Sequence, residues 1–199
     1  MGVNGDSGET VFLDRDGVIN PLVETEAGEV SPQSIEEFKF FSGVPDAIER
    51  LKDEGYRVIV FTNQPDVSKD WRPLDETELE KMNRKLREAG VDAVYACIHG
   101  PMGDSEEERS YSEDGEIVVC DCRKPQPGLL EEAAWDFEVD VSSSYVVGDS
   151  EKDLEAARRF EEETGSRFAG RLEIGVSRGI GDAAFGDLEA AVEYILEKG

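Results

Sequence analysis

Four aspartates occupy positions from which they could act together. Asp14 and Asp16 stand two residues apart in "FLDRDGVIN", and Asp149 and Asp153 stand four apart in "VGDSEKD". In each case an apolar run, "TVFLD" or "SYVVGD", ends on the first aspartate and reads as a buried strand. Side chains two residues apart on an extended chain point the same way, and Gly17 frees the backbone to turn. Carboxylates gathered in one place repel unless a cation sits among them. Magnesium takes oxygen ligands, often one or two carboxylates with substrate phosphate and water. A D-x-D pair arises readily by chance in a chain with 47 acidic residues, so its company matters more. Thr62 and Asn63 close a further apolar run, "YRVIVF", and offer a hydroxyl and backbone N–H groups to an anion. Lys124, one of eight lysines, lies between Arg123 and Pro125. A fixed cation facing carboxylates suits a transferring phosphoryl group.

The three cysteines and the one histidine form two pairs, Cys97-x-His99 and Cys120-x-Cys122. Three thiolates and one imidazole suit tetrahedral zinc. The competing reading is a buried Cys97 on a strand and a solvated His99. Cys122 precedes Lys124 by two residues, so zinc would anchor the strand expected to carry that lysine. Four protein ligands leave no open coordination position, which makes the zinc structural.

Positioning these groups requires alternating elements. Val44, Ala47, Ile48 and Leu51 share one helical face, with Gly55 as the stop, and Leu79, Met82 and Leu86 share another, with Gly90 as the stop. Helices are also expected after Pro127-Gly128, after Asp149 and at the C-terminus, and strands at "VDAVYACI" and "RLEIGVSRG". Residues 17–43 read as a polar, irregular flap broken by Pro21, Gly28 and Pro32. The alternation predicts an α/β fold: a mainly parallel sheet between helices in a three-layer sandwich. Such sheets bind ligands beyond their strand C-termini, where Asp14, Thr62 and Asp149 all fall. Residues 1–199 are expected to form one domain, with a zinc loop at 97–122. Trp71 and Trp135 read as packing residues and "GVSRGIGD" as a turn.

In order along the chain, "FLDRDGVIN", "FTNQ", "CRKPQPG" and "VGDSEKDLEAA" resemble the four motifs of the haloacid-dehalogenase phosphatases. The resemblance covers about residues 10–160 and implies a Rossmannoid fold without a large cap. It also implies roles. Asp14 would be the nucleophile, forming an aspartyl-phosphate, and Asp16 the general acid and base. Thr62 and Lys124 would hold the phosphoryl oxygens. Asp14, the Asp16 carbonyl and Asp149 would hold magnesium, with Asp153 as a support behind them. The cysteine-histidine loop is similar to a subgroup acting on heptose bisphosphates and histidinol phosphate. In that subgroup Arg123 would contact the distal part of the substrate, and Asn63 and Gln64 would shape its site. Departures fall at Pro65-Asp66-Val67, where Asp66 would disfavour a second phosphate, and at Ser150, where a basic residue is common.

A formal net charge of -26 opposes nucleic acid and anionic lipid, which weighs against a polynucleotide 3′-phosphatase, although that activity shares the motifs. Leu, Ile, Val and Phe make about 25% of the chain, above the level of disordered sequences. The expectation is a cytoplasmic monomer, with the acidity suited to a high-salt cytoplasm that screens self-repulsion. The leading reading is a magnesium-dependent phosphomonoesterase acting on a sugar bisphosphate such as D-glycero-D-manno-heptose 1,7-bisphosphate. Histidinol phosphate is the alternative substrate, a phosphotransferase the alternative reaction, and a non-catalytic zinc-bearing binding module the alternative class.

Overall fold

A computed structural model describes residues 8–26, 28–68, 74–99 and 120–199. The acidic loop between the two metal-ligand pairs and Trp71 lie outside the described residues. In chain order the elements are β1 (Thr10–Leu13), β2 (Val23–Thr25), β3 (Gly28–Val30), α1 (Val44–Asp53), β4 (Arg57–Asn63), α2 (Glu76–Glu88) and β5 (Ala93–Cys97). They continue as α3 (Gly128–Asp136), β6 (Tyr145–Gly148), α4 (Glu151–Thr164), β7 (Gly170–Ile174), β8 (Ala183–Phe185) and α5 (Leu188–Lys198).

The six-stranded sheet has the order β5-β4-β1-β6-β7-β8, and every adjacent pair is parallel. Alternation along the strands sends side chains to two separate cores. Val11 and Leu13 of β1 join Val58 and Val60 of β4 beneath α1, α2 and α5. Phe12, Ile59 and Phe61 face the opposite way, against Leu129, Leu130 and Ala133 of α3 and Ala156, Ala157 and Phe160 of α4. Each fully buried large apolar side chain contributes about 1.5–3 kcal/mol of transfer free energy. Strands apolar on both faces therefore need helices on both sides. The faces read from sequence for α1 and α2 are the buried ones.

Three expectations need correction. The flap contains an antiparallel hairpin, β2 with β3, and Phe38 beyond it is fully buried. Lys124 sits on a turn before α3, not on a strand, so it is placed by tertiary contacts. Trp135 is 85% exposed. It lies two positions past the buried Ala133, about 200° around the helix, and so points away from the core.

Candidate active site and metal centre

Four strands deliver chemistry to one edge of the sheet. Asp14 follows β1, Thr62 and Asn63 end β4, Cys97 ends β5 and Asp149 follows β6. Asp153 comes from the first turn of α4, where its Oδ2 accepts the Ser150 N–H at 3.0 Å and hydroxyl at 2.6 Å. A cavity of about 300 Å³ opens there, lined by Asp14, Asp16, Thr62, Arg123, Lys124 and Asp149 among others. That volume is at the small end of ligand sites.

Lys124 reaches into the carboxylates. Its Nζ lies 2.6 Å from Asp14 Oδ1, 2.6 Å from Asp153 Oδ1 and 3.0 Å from the Phe61 carbonyl. Burial opposes its charge, but Asp14 and Asp153 outweigh that and hold its pKa above the ordinary value. The Asp14 pKa is raised by burial and by Asp153, with Lys124 opposing. Burial and Asp153 likewise push Asp149 up to about 6. One ammonium faces three carboxylates, whose oxygens lie within 4.8 Å of one another. If all are ionised, two negative charges remain unbalanced, and an all-oxygen donor set suits a divalent cation such as magnesium.

Asp16 lines the same cavity within a cage of donors. Arg15, fully buried, gives Nη2 to Asp16 Oδ2 at 2.9 Å and Nε to Oδ1 at 3.1 Å. Asn20 donates to Oδ1, while Ser31 and Gln64 donate to Oδ2. Burial alone would raise the Asp16 pKa, but Arg15, Asn20 and Gln64 bring it below the usual value. Gln64 also accepts from Arg15 at 2.8 Å and donates to Thr62 Oγ1 at 2.9 Å. The Thr62 hydroxyl proton is thereby left for another acceptor.

Asn63 lines the cavity but uses its amide on Lys124, donating to the backbone carbonyl at 3.1 Å and accepting the backbone N–H at 3.0 Å. Gln64 lies behind the wall. Asp66 is buried and is not among the lining residues; it accepts Gln33 Nε2 at 2.8 Å, which ties the flap down, and its charge also favours that of the lining residue Arg123. Ser150 lines the cavity and begins α4. Arg15, Ser31 and Lys152 are the site-facing or site-holding residues that motif reading left without a role. Arg15 was visible inside "FLDRDGVIN", but nothing local reveals that its guanidinium folds back onto Asp16.

Cys97, His99, Cys120 and Cys122 converge beside this cavity, with ligand atoms within 4.8 Å of one another. Cys97 and Cys120 sulfurs are 3.7 Å apart, Cys97 and His99 Nδ1 3.6 Å, and His99 Nδ1 and Cys122 3.3 Å. Zinc–sulfur bonds of about 2.3 Å give tetrahedral S–S edges of about 3.8 Å. The Cys97–Cys122 edge, 2.9 Å, is the one that would have to open. The cluster could hold a metal such as zinc. It connects to the cavity twice: Arg123 Nη1 donates to the His99 carbonyl at 2.9 Å, and the Gln64 N–H to the Cys97 carbonyl at 2.7 Å.

The fold and the converging carboxylates define a phosphatase of the haloacid-dehalogenase type, and the chain belongs to that family. The family described as polynucleotide kinase 3 phosphatase matches residues 12–175. A relative is D-glycero-beta-D-manno-heptose-1,7-bisphosphate 7-phosphatase of Salmonella typhi, 40% identical over 151 residues, covering 74% of this chain and 73% of its own length. The Haemophilus influenzae protein of that name is 31% identical over 193 residues, covering 95% of this chain and 91% of its own. D,D-heptose 1.7-bisphosphate phosphatase from B. bronchiseptica, solved with magnesium and phosphate, superposes with a TM-score of 0.71 at 27% identity, over 96% of this chain and 99% of that one. Among the described residues no helix is long and apolar enough to cross a membrane.

Proposed function

We propose that the protein is a magnesium-dependent sugar-bisphosphate phosphatase, with a D-glycero-D-manno-heptose 1,7-bisphosphate as substrate. The observation that carries this reading is Lys124 held between Asp14 and Asp153 on the floor of the cavity. The similarity to heptose bisphosphate phosphatases along most of the chain supports the substrate.

Asp14 attacks phosphorus, and the bond from phosphorus to the sugar oxygen breaks. Asp16 supplies the proton to that oxygen. Arg15 holds Asp16 ionised in the free protein, and an arriving phosphate dianion raises its pKa by like-charge repulsion. In the second half Asp16, again a carboxylate, takes the proton of the attacking water, and phosphate leaves Asp14. Thr62 and Lys124 hold the phosphoryl oxygens while charge develops on them. A magnesium ion held by Asp14, Asp149 and the Asp16 carbonyl would neutralise phosphoryl charge. Gln64 reaches the substrate only through Thr62 and Asp16, and Asn63 fixes the Lys124 main chain.

The second phosphate faces Arg123 and Lys152. Lys124 serves the transferring phosphoryl group, and Lys152 is an exposed rim lysine with no hydrogen bond or ion pair among the described residues. Lys152→Gln is expected to lower kcat/KM for the bisphosphate by roughly 10-fold and to spare p-nitrophenyl phosphate. The substrate reading is tested by phosphate release from a panel of heptose bisphosphate, hexose phosphates, histidinol phosphate and a 3′-phosphorylated oligonucleotide. Preference for another panel member discards the heptose assignment. Absence of release from all of them, in folded and metal-loaded protein, favours a binding module instead.

Cys97, His99, Cys120 and Cys122 bind a structural zinc that fixes the turn carrying Arg123 and Lys124. Purified protein is expected to contain about one zinc per chain. Chelation should lower the melting temperature and kcat together, with zinc restoring both. Equal melting curves before and after verified metal removal would refute this role.

A further inference from the structure

Residues 175–182, the run "GVSRGIGD" between β7 and β8, have no part in the chemistry above. Yet this run is bound to the active site through a buried acid. Glu173 on β7 is 1% exposed, and a carboxylate so deeply buried needs donors. It accepts the Arg178 backbone N–H at 2.9 and 3.0 Å and the Arg178 Nη1 at 3.2 Å. The same Nη1 donates to the backbone carbonyl of Asp149 at 2.6 Å. A continuous link therefore runs from β7 through Arg178 to the end of β6.

Asp149 is the residue that needs such a link. Lys124 orients Asp14, and Lys124 and Ser150 orient Asp153. Among the described residues no side chain donates a hydrogen bond to the Asp149 carboxylate, so its direction depends on its main chain and on steric limits. Gly17 sets one limit: a Cβ there would lie 2.1 Å from Asp149 Oδ2, and its φ of +95° suits glycine. The Arg178 side chain is 50% exposed. Its bond to the Asp149 carbonyl is thus not a by-product of burying the arginine.

We propose that Arg178, held by Glu173, is a positioning residue that fixes the Asp149 main chain and thereby aims its carboxylate at the magnesium ion. The proposal rests on the magnesium reading of the carboxylate cluster. Supports of this kind are worth about 10–100-fold in metal affinity.

The test is calorimetric titration of magnesium into the wild-type protein and into Arg178→Gln and Arg178→Lys, with melting curves and magnesium-dependent phosphate release alongside. For Arg178→Gln the expected result is a dissociation constant raised about 10-fold, with kcat at saturating magnesium falling by less. Arg178→Lys, which keeps a donor and a charge, should recover part of the affinity. Glu173→Gln should move magnesium affinity in the same direction. Because Glu173 is buried, that variant could lose stability, and the exposed Arg178 variants answer independently of it. Unchanged magnesium affinity in Arg178→Gln would overturn the proposal. So would a melting temperature and kcat that fall while affinity holds, since that describes a loop staple only. A wild-type protein that binds no magnesium would overturn the magnesium reading, and the proposal with it.

Discussion

Asp14→Asn is expected to reduce phosphate release by roughly 10⁴-fold or more, the scale seen when a covalent nucleophile is removed. An amide keeps the shape of the side chain and an oxygen that can accept from Lys124 Nζ, now at 2.6 Å. It lacks the charge and nucleophilicity to attack phosphorus. Asp153 still pairs with Lys124, so the fold should survive and the loss should appear in kcat. The measurement is steady-state phosphate release from the preferred substrate, with melting curves for both proteins. Activity within 10-fold of wild type would remove Asp14 from the nucleophile's role.

Lys124→Met should damage both stability and catalysis. The lysine is 4% exposed, and its removal leaves Asp14 and Asp153 buried without their shared cation. Breaking a buried ion pair from one side costs about 3–5 kcal/mol, a fall in melting temperature of roughly 10 °C for a domain of this size. The pH dependence has a definite sign. Burial and Asp153 already raise the Asp14 pKa in the native protein, with Lys124 opposing, and the variant loses that opposition. A carboxyl group whose folded pKa is raised binds more protons folded than unfolded, so its contribution worsens as pH rises. The gap between variant and wild type should be widest at neutral pH and narrow on acidification through the raised pKa. Turnover should fall by about 10²–10³-fold, as when a preorganised donor to transition-state charge is lost. Melting curves at several pH values and kcat at one of them decide the matter. A variant as stable as wild type at neutral pH would show that the three charges are not coupled as their geometry indicates.

The corrections to the sequence reading share a pattern. The sequence reads Trp135 as a packing residue, but the buried stripe of α3 runs through Leu129, Leu130 and Ala133 and leaves it outside. The flap read as irregular because β2 and β3 are three residues each, too short for a period to emerge. β8, another three-residue strand, escaped for the same reason. The sequence reading has zinc anchoring a strand that carries Lys124, but no strand is there. Lys124 sits instead on a turn clamped by Asn63 from β4.

From sequence alone came the α/β class, the inward faces of α1 and α2, the order of the four motifs and the Cys97-His99-Cys120-Cys122 set. These follow from short-range spacing, because the side-chain periods of strands and helices are local geometry and strand ends in a parallel sheet share one edge. Only the tertiary structure decided that Arg15 folds back to hold Asp16, that Gln64 joins Arg15, Asp16 and Thr62, and that Asp66 serves the flap. It also brought Arg178 from beyond β7 to the carbonyl of Asp149. Such partners are chosen by the paths of non-periodic loops and by the need of buried charges for donors. Neither leaves a repeat in the chain from which the pairing could be read.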